Sequence, residues 1–209
     1  MQKPFLLVGV VALGLISSGV ALRGVGESAS DSRSAVADAG PATRARPEEW
    51  PRPLKSFVEV RGDDVFESST AGGLARDSVS VVVAKVTGVQ FEAHNPVIPE
   101  AEDGIYSLTV DRVVRGEAPS STMSLRVFSR IDGKPAVIEG QEPPIVGGRY
   151  LFFLIRHPRF PGQYEITSSK GAYPVSAAGH LVRSTSRDNA VVREINGRSV
   201  DEVAQIIAG

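Results

Sequence analysis

From Phe57 onward, the order of apolar and polar positions is that of β-strands. Residues 79–86 (VSVVVAKV) are rich in β-branched side chains and apolar on both alternating faces, which is typical of a strand buried on both sides. In residues 105–114, Tyr106, Leu108 and Val110 alternate with polar positions, as in a strand with one buried face. The same reasoning predicts strands at residues 123–128, 150–155, 163–167, 172–175 and 180–183, with Pro174 assigning its strand to a sheet edge.

Two short helices are predicted on either side of these strands. Residues 70–77 form the weaker candidate, because each of its two consecutive glycines costs about 1 kcal/mol relative to Ala inside a helix. The C-terminal helix is better defined, since Ser199 and Glu202 have the spacing of a capping box and Val203 and Ile207 lie on one helical face. We expect that face to cover an open end or flank of the sheet. Without regular alternation of strand and helix, the chain predicts a mainly β fold, a small barrel or sandwich.

The N-terminal segment predicts export across a membrane. After Lys3, residues 5–22 carry no charge and form an apolar stretch with only two serines as polar interruptions, which predicts a hydrophobic helix. A signal peptide has a basic start, an apolar stretch and small residues before its cleavage site, which would follow Ala21 here. A membrane-spanning helix needs roughly 17 or more apolar residues. Residues 1–22 are therefore a signal peptide or a membrane anchor, with the anchor slightly favoured, and the head lies outside the cytoplasm or is secreted.

Residues 23–56 predict a disordered stalk. They are rich in Pro, Ala, Ser and Arg, and they contain too few bulky apolar residues to form a core. Such a segment suits a spacer between a membrane and a folded head. The chain then divides into residues 1–22, the stalk at 23–56, and a globular β-barrel-like domain at 57–209 that includes the C-terminal helix.

Composition and charge exclude several classes of function. The 209-residue chain contains no cysteine, which excludes a disulfide framework, a thiolate metal site and a cysteine nucleophile. The formal net charge is -1, so the strong positive patch of a nucleic-acid-binding protein is not expected. Arginines in and beside the predicted strands, such as Arg112, Arg126 and Arg149, leave single-stranded nucleic acid as an alternative that the export signal disfavours.

Three stretches carry a resemblance to a known family: residues 77–86, residues 106–116 ending in Arg-Gly, and residues 146–151 (VGGRYL). In order and spacing they resemble the netrin-like module of tissue inhibitors of metalloproteinases, an OB-type five-stranded barrel, and exported bacterial proteins of similar layout. The resemblance covers about residues 70–175 and implies a small OB-like barrel. Inhibitors of that family bind the protease zinc through an N-terminal cysteine, which this chain lacks. The resemblance therefore implies the fold and not the inhibitory mechanism.

No linear motif assigns catalytic, cofactor-binding or metal-binding residues. His94, His157 and His180 lie far apart and lack the spacing of a zinc site, so we interpret them as surface loop residues. Neither a Gly-x-Ser-x-Gly nucleophile motif nor a Gly-rich phosphate loop is present. We expect no cofactor, and we expect the domain to fold without a metal ion.

Two long connections, at residues 91–104 and 129–148, are the expected contacts for a partner. They exceed the usual length of hairpin loops, and long loops often carry function, although insertions without a partner are the alternative. The acidic loop at residues 91–104 offers oxygen ligands for a cation at Glu100, Glu102 and Asp103, with a solvated loop as the simpler interpretation.

These features together predict an extracytoplasmic, non-catalytic interaction module, tethered through residues 5–22 or secreted, with an unidentified protein partner and no nucleic acid. An exported enzyme is the main alternative, with a carboxylate and His site that no linear motif reveals. A structural component of the cell envelope is the third possibility. A concave pocket with convergent Asp, Glu or His side chains would favour the enzyme.

Overall fold

The computed structural model describes residues 56–60, 68–95, 98–117, 120–183 and 189–209, and this part of the chain is mainly β. The strands are β1 (Val58–Val60), β2 (Ser80–Asn95), β3 (Ile98–Gly116), β4 (Thr122–Ile131), β5 (Lys134–Ile138), β6 (Arg149–Arg156), β7 (Gln163–Ile166) and β8 (Ala172–Pro174). The helices are α1 (Ala71–Asp77), α2 (Ala190–Ile195) and α3 (Val200–Ala208).

The predicted apolar segment at residues 1–22 and the stalk up to residue 55 lie outside the described residues. Within the described ranges, no helix combines the length and the apolar character needed to cross a membrane.

Five strands close into a ring in the order β4-β3-β2-β6-β7, with β7 pairing back to β4. Neighbouring strands are antiparallel except for β4 and β7, which run parallel where Ser124 faces Gln163 and Leu125 faces Tyr164. Outside the ring, β8 pairs with β6, β5 pairs with β4, and β1 pairs with β5. The predictions of a mainly β fold and of few short helices are confirmed.

Apolar side chains form one core inside the ring and a second core outside it. Val82 and Ala84 on β2 and Phe152 on β6 point into the ring, where they meet apolar residues from β3, β4 and β7. The alternate residues Val83 and Phe153 point outward and pack against the three helices. Because side chains alternate along a strand, a strand covered on both sides is apolar throughout. This explains the continuous apolar runs of β2 and β6 and confirms the prediction that β2 is buried on both faces.

The helices begin at side chains that cap their backbone. Ser199 and Glu202 form the predicted capping box of α3, with each side chain bonded to the backbone N–H of the other residue. Thr70 caps α1, and Asn189 caps α2, a helix that was too short to be predicted from its pattern. The buried faces of all three helices belong to the outer core, so α3 covers a flank of the sheet as expected.

The predicted loop at residues 91–104 is largely strand, so that prediction is wrong, whereas in the predicted loop at 129–148 only residues 129–131 and 134–138 are strand. In residues 91–104, β2 continues to Asn95 and β3 begins at Ile98, with Glu92 paired opposite Asp103. In residues 129–148, β4 and β5 form a hairpin around Asp132 and Gly133, whose φ values are +50° and +70°. An Asp-Gly pair with positive φ at both residues is a favoured two-residue hairpin turn. The charged residues of the first segment lie on strand faces, whereas Asp132, Glu139 and Glu142 of the second lie in turns or irregular chain.

The predicted strand at residues 180–183 is reduced to isolated bridges, from Leu181 to Val175 and from His180 to Ser199. Two further strands, β1 and β5, were not predicted. Both are short, and β1 pairs only with β5, so neither has the long alternation that marks a strand in the sequence.

We predict that a shortened chain of residues 57–209 folds and stays soluble, whereas a chain ending at Arg198 aggregates. The second truncation removes Val203, which is fully buried, and Ile207, and it uncovers the outer core. Size-exclusion chromatography and thermal unfolding check this. A chain ending at Ile207 is the control because it loses only two exposed residues. Equal stability of the chains ending at 198 and 209 would show that α3 contributes nothing to the core.

We predict that Gly116→Ala destabilises the fold far more than Gly133→Ala. Both glycines have positive φ, so each substitution costs about 1–2 kcal/mol of backbone strain. At Gly116, however, a Cβ would lie 2.2 Å from the carbonyl oxygen of Val79, while at Gly133 it would meet open space. We expect an additional loss of at least about 2 kcal/mol at Gly116. Urea unfolding of the two variants measures the difference, and similar losses would contradict the packing of β3 against Val79.

Candidate functional site

A group of charged and aromatic side chains surrounds Arg126 on the outer face of β3 and β4. The long β2–β3 hairpin supplies three of its members, β4 and β7 supply one each, and the β6–β7 loop (residues 157–162) supplies the last. We call this group the Arg126 cluster; it consists of Glu92, His94, Asp103, Arg126, Phe160 and Gln163.

Arg126 is the centre of the cluster, and its side chain is only 5% exposed. Its Nη1 donates to Oδ2 of Asp103 at 2.7 Å, and its Nη2 donates to Oε2 of Glu92 at 2.5 Å. Its Nε donates to Oε1 of Gln163 at 2.9 Å. All three guanidinium nitrogens are therefore hydrogen-bonded, and two carboxylates balance the charge, which is what a buried cation requires.

An irregularity in the β3–β4 pairing positions Asp103. Glu102 pairs with Arg130 and Asp103 pairs with Phe128, so Ser129 is the extra residue of a bulge on β4. Ser129 is buried, where its Oγ donates to the carbonyl oxygen of Val127 and lies 3.0 Å from the hydroxyl of Tyr106. A bulge redirects the side chains that flank it, and here it brings Asp103 to the side on which Arg126 lies.

Asp103 also orients His94. Oδ1 of Asp103 lies 2.6 Å from Nδ1 of His94, and because an ionised carboxylate only accepts hydrogen bonds, this Nδ1 carries a proton. The imidazole meets the ring of Phe128 edge-on at 4.8 Å. Burial alone would raise the pKa of Asp103, but hydrogen bonds from His94 and Arg126 outweigh it, and the pKa lies below its ordinary value. Asp103 is thus a carboxylate shared by two donors.

The β6–β7 loop covers Arg126. The guanidinium carbon lies 3.8 Å from the centre of the Phe160 ring, a cation–π contact, and the Phe160 ring also packs against His157 at 4.8 Å. His157 is largely buried, with 13% of its side chain exposed, and its Nε2 lies 3.7 Å from Oε2 of Glu165. Burial lowers the pKa of His157 and raises that of Glu165. Phe160 keeps 38% of its surface exposed.

The structure changes the interpretation of two histidines and of the acidic segment. His94 lies in β2 and not in a loop, and His157 occupies a loop with a largely buried side chain. The fold brings both to the same face of the ring, while His180 lies at the bridge to Ser199. The acidic residues do not converge, because Glu102 faces Arg130 at 3.9 Å while Asp103 faces Arg126. In the described ranges, no group of three or more His, Cys, Asp or Glu side chains is arranged to hold a metal ion.

Three further arginines of the predicted strands contact acceptors within the protein. Arg112 pairs with Asp201 of α3, and Arg149 donates from Nε to Oδ2 of Asp111 at 2.7 Å. Arg115 donates to the carbonyl oxygen of Ala75 at the end of α1. Arg112 and Arg115 connect the sheet to its helices, and Arg149 connects β6 to β3 across β2.

Sequence reasoning missed the cluster because its members are spread over residues 92–163. A signal was present at residues 91–94, where Glu92 and His94 alternate with apolar residues. This alternation is the pattern of a strand with one solvated face. The Asp132-Gly133 pair was a second signal for the hairpin that follows β4. Neither signal predicts that β7 and the β6–β7 loop lie beside Arg126, because that proximity depends on closure of the ring.

No family model matches the chain, and no match to a curated protein is found. The geometry of the cluster therefore carries the functional argument. It combines a buried and neutralised guanidinium, an exposed aromatic ring held above it, and an imidazole oriented by a carboxylate. Among the described residues, no hydroxyl group is hydrogen-bonded to His94.

We predict that Asp103→Asn costs about 3–5 kcal/mol of stability, because it leaves the Arg126 charge buried with one fewer carboxylate. Asp201→Asn is the matched control, since it breaks the exposed pair with Arg112 and costs less than about 1 kcal/mol. In a double-mutant cycle with Arg126→Met, measured by urea unfolding, the double variant should lose less stability than the two single variants lose together. Additive losses would contradict the coupling of Asp103 to Arg126.

The same variant has a defined pH dependence. The Asp103 pKa is lowered from its ordinary value of 3.8, so its stabilising contribution is present above pH 3.8 and is lost as the pH falls through the lower folded value. Asp103→Asn should therefore not show the loss of stability that protonation of Asp103 causes in the wild type.

Proposed function

We propose that residues 57–209 form an extracytoplasmic, non-catalytic interaction module that binds a protein partner through the surface of the Arg126 cluster. In this proposal residues 5–22 anchor the chain in the membrane, or cleavage after Ala21 releases it. The observation that carries the proposal is the exposed ring of Phe160, held in place over the buried guanidinium of Arg126.

The strand order supports an OB-like, netrin-like barrel. The five ring strands β2, β3, β4, β6 and β7 close through a parallel pair between strands far apart in sequence, as in a five-stranded Greek-key barrel. OB-type barrels contact ligands with the face of their second and third strands and with the loops after the first and fourth strands. The corresponding parts here are β3, β4, the end of the β2–β3 hairpin and the β6–β7 loop. These parts, with β7, supply the Arg126 cluster.

The cluster has the properties of a preorganised contact surface. Phe160 lies between Pro158 and Pro161, and its ring contacts both Arg126 and His157, so little rotamer freedom is left to lose on binding. Aromatic residues and arginine are enriched at the centres of protein interfaces. Glu92, whose side chain is 55% exposed, supplies a charged group at the rim. An exposed aromatic ring with a charged border suits a protein partner.

Charge supports a protein over a nucleic acid. Arg126 is balanced by Asp103 and Glu92, and Arg112 and Arg149 are paired with aspartates. The chain from Phe57 onward has 16 basic and 19 acidic residues, a net charge of -3. Binding to a phosphate backbone depends on several unpaired cations that displace counterions. The predicted export of the chain also favours a partner in the cell envelope.

An exported hydrolase is the second candidate, and the His94–Asp103 pair favours it. With its Nδ1–H bonded to Asp103, a neutral His94 presents an unprotonated Nε2 that can accept a proton from a substrate or water. Hydrolysis of chromogenic ester or peptide substrates that disappears in His94→Gln would support this candidate over the interaction module.

We predict that a photo-crosslinking residue in place of Phe160 captures one partner protein in intact cells. The same residue in place of Gln205, which is exposed on α3, is the matched control and should capture none. Phe160→Asp should abolish binding of the captured partner while the domain stays folded, because loss of the ring removes its contacts with Arg126 and His157 but opens no cavity in either core. Equal capture from both positions, or no capture from position 160, would contradict this contact surface.

A further inference from the structure

The hydrogen bonds of the β6–β7 loop fix the tautomer of His157. The backbone N–H of Arg159 donates to Nδ1 of His157 at 3.1 Å. A backbone N–H is a donor only, so this Nδ1 must hold a lone pair, and a neutral His157 carries its proton on Nε2. A proton added to Nδ1 would face the Arg159 N–H directly. The hydrogen bond therefore exists only while His157 is neutral.

This hydrogen bond closes the first turn of the loop, while the N–H of Gln163 donates to the carbonyl oxygen of Phe160 at 3.1 Å and closes the last turn. Pro158 and Pro161 have no N–H, which leaves few backbone donors between residues 157 and 162. The described contacts of these donors are the bond from Arg159 to His157 and the bond from the N–H of His157 to the carbonyl oxygen of Gln163 at 2.9 Å. The first has the form of an Asx turn, in which a side-chain acceptor binds the N–H two residues later. It closes the segment that leads directly to Phe160.

The charged groups around His157 determine whether the imidazolium form is favoured in the closed loop. Two cations disfavour protonation, namely Arg126 on β4 and Arg159 in the loop itself, and His94 on β2 acts in the same direction. Two carboxyl groups oppose them, Asp103 on β3 and Glu165 on β7, of which Glu165 lies 3.7 Å from Nε2. Burial comes first among the causes that lower the pKa of His157 from its ordinary value of 6.5. The closed loop thus disfavours the imidazolium.

We propose that His157 is a pH-sensitive latch of the β6–β7 loop: when neutral it holds Phe160 over Arg126, and when protonated it releases the loop. A protonated Nδ1 cannot accept from Arg159, so the turn opens, and the imidazolium moves away from the guanidinium of Arg126 toward solvent. Phe160 follows, because it lies one residue beyond Arg159.

The direction of the switch follows from proton linkage. Because the His157 pKa in the closed loop is below 6.5, the open loop binds the proton more tightly, and acidification favours opening. In terms of the proposed function, on which this consequence alone rests, the contact surface is assembled near neutral pH and taken apart in mild acid.

The test uses the full chain with 4-fluorophenylalanine in place of Phe160. We expect its ¹⁹F shift to change in one sigmoidal step as the pH falls from about 8 to about 5, with the midpoint of the His157 imidazole titration measured by ¹⁵N NMR. His157→Asn is the matched variant, because an Asn oxygen accepts the same N–H in an Asx turn and does not titrate. Its ¹⁹F shift at pH 8 should differ from that of the wild type by the loss of the neighbouring imidazole ring, and it should stay constant down to pH 5. His94→Gln should retain the step.

Three results would overturn the latch. The first is a wild-type ¹⁵N spectrum at pH 8 that places the His157 proton on Nδ1, a measurement that needs no variant. The second is a ¹⁹F shift that stays constant while His157 titrates. The third is an unchanged step in His157→Asn. None of these measurements involves a partner, so a failure of the crosslinking experiment at position 160 leaves the latch standing, and a failure of the latch leaves the proposed contact surface standing.

Discussion

Burial of β2 and β6 on both faces is the constraint on which the rest of the described structure depends. Their inward side chains, such as Val82 and Phe152, fill the ring, and their outward side chains, such as Val83 and Phe153, need a second cover. The three helices provide that cover although each is short. Isolated helices of this length are marginal in water, so their stability comes from the apolar sheet beneath them. The capping groups of Thr70, Asn189 and Ser199 then define where each helix begins.

Closure of the ring between β4 and β7 creates the Arg126 cluster. The parallel pairing of Ser124 with Gln163 brings the start of β7, and with it the β6–β7 loop, to the side of β4 that carries Arg126. The β2–β3 hairpin reaches the same region from the other side through Glu92 and Asp103. Because a buried guanidinium without partners is very unfavourable, these contacts have to form together. The cluster is therefore tied to the closed ring and cannot form on an isolated hairpin.

Asp103 and His157 differ in how their charges depend on pH. Asp103, with its lowered pKa and its bonds to Arg126 and His94, stays ionised through the neutral and mildly acidic range. His157 lies at the edge of the same cluster, and burial lowers its pKa from the ordinary value of 6.5. A stable carboxylate beneath a titratable loop is what allows the loop to respond to pH without loss of the fold.

The sequence by itself determined the β class, the central strands and the capping box of α3. Those features depend on neighbours in the chain, such as the alternation at Tyr106 and Leu108 or the three-residue spacing of Ser199 and Glu202. It left residues 91–104 as a loop, because charged residues on an exposed strand face look like a loop until the paired strand is known. The meeting of Glu92, Asp103, Arg126 and Phe160 was decided only by the tertiary structure. Strand order and register join residues far apart in sequence, and no local propensity encodes the parallel closure of β7 on β4.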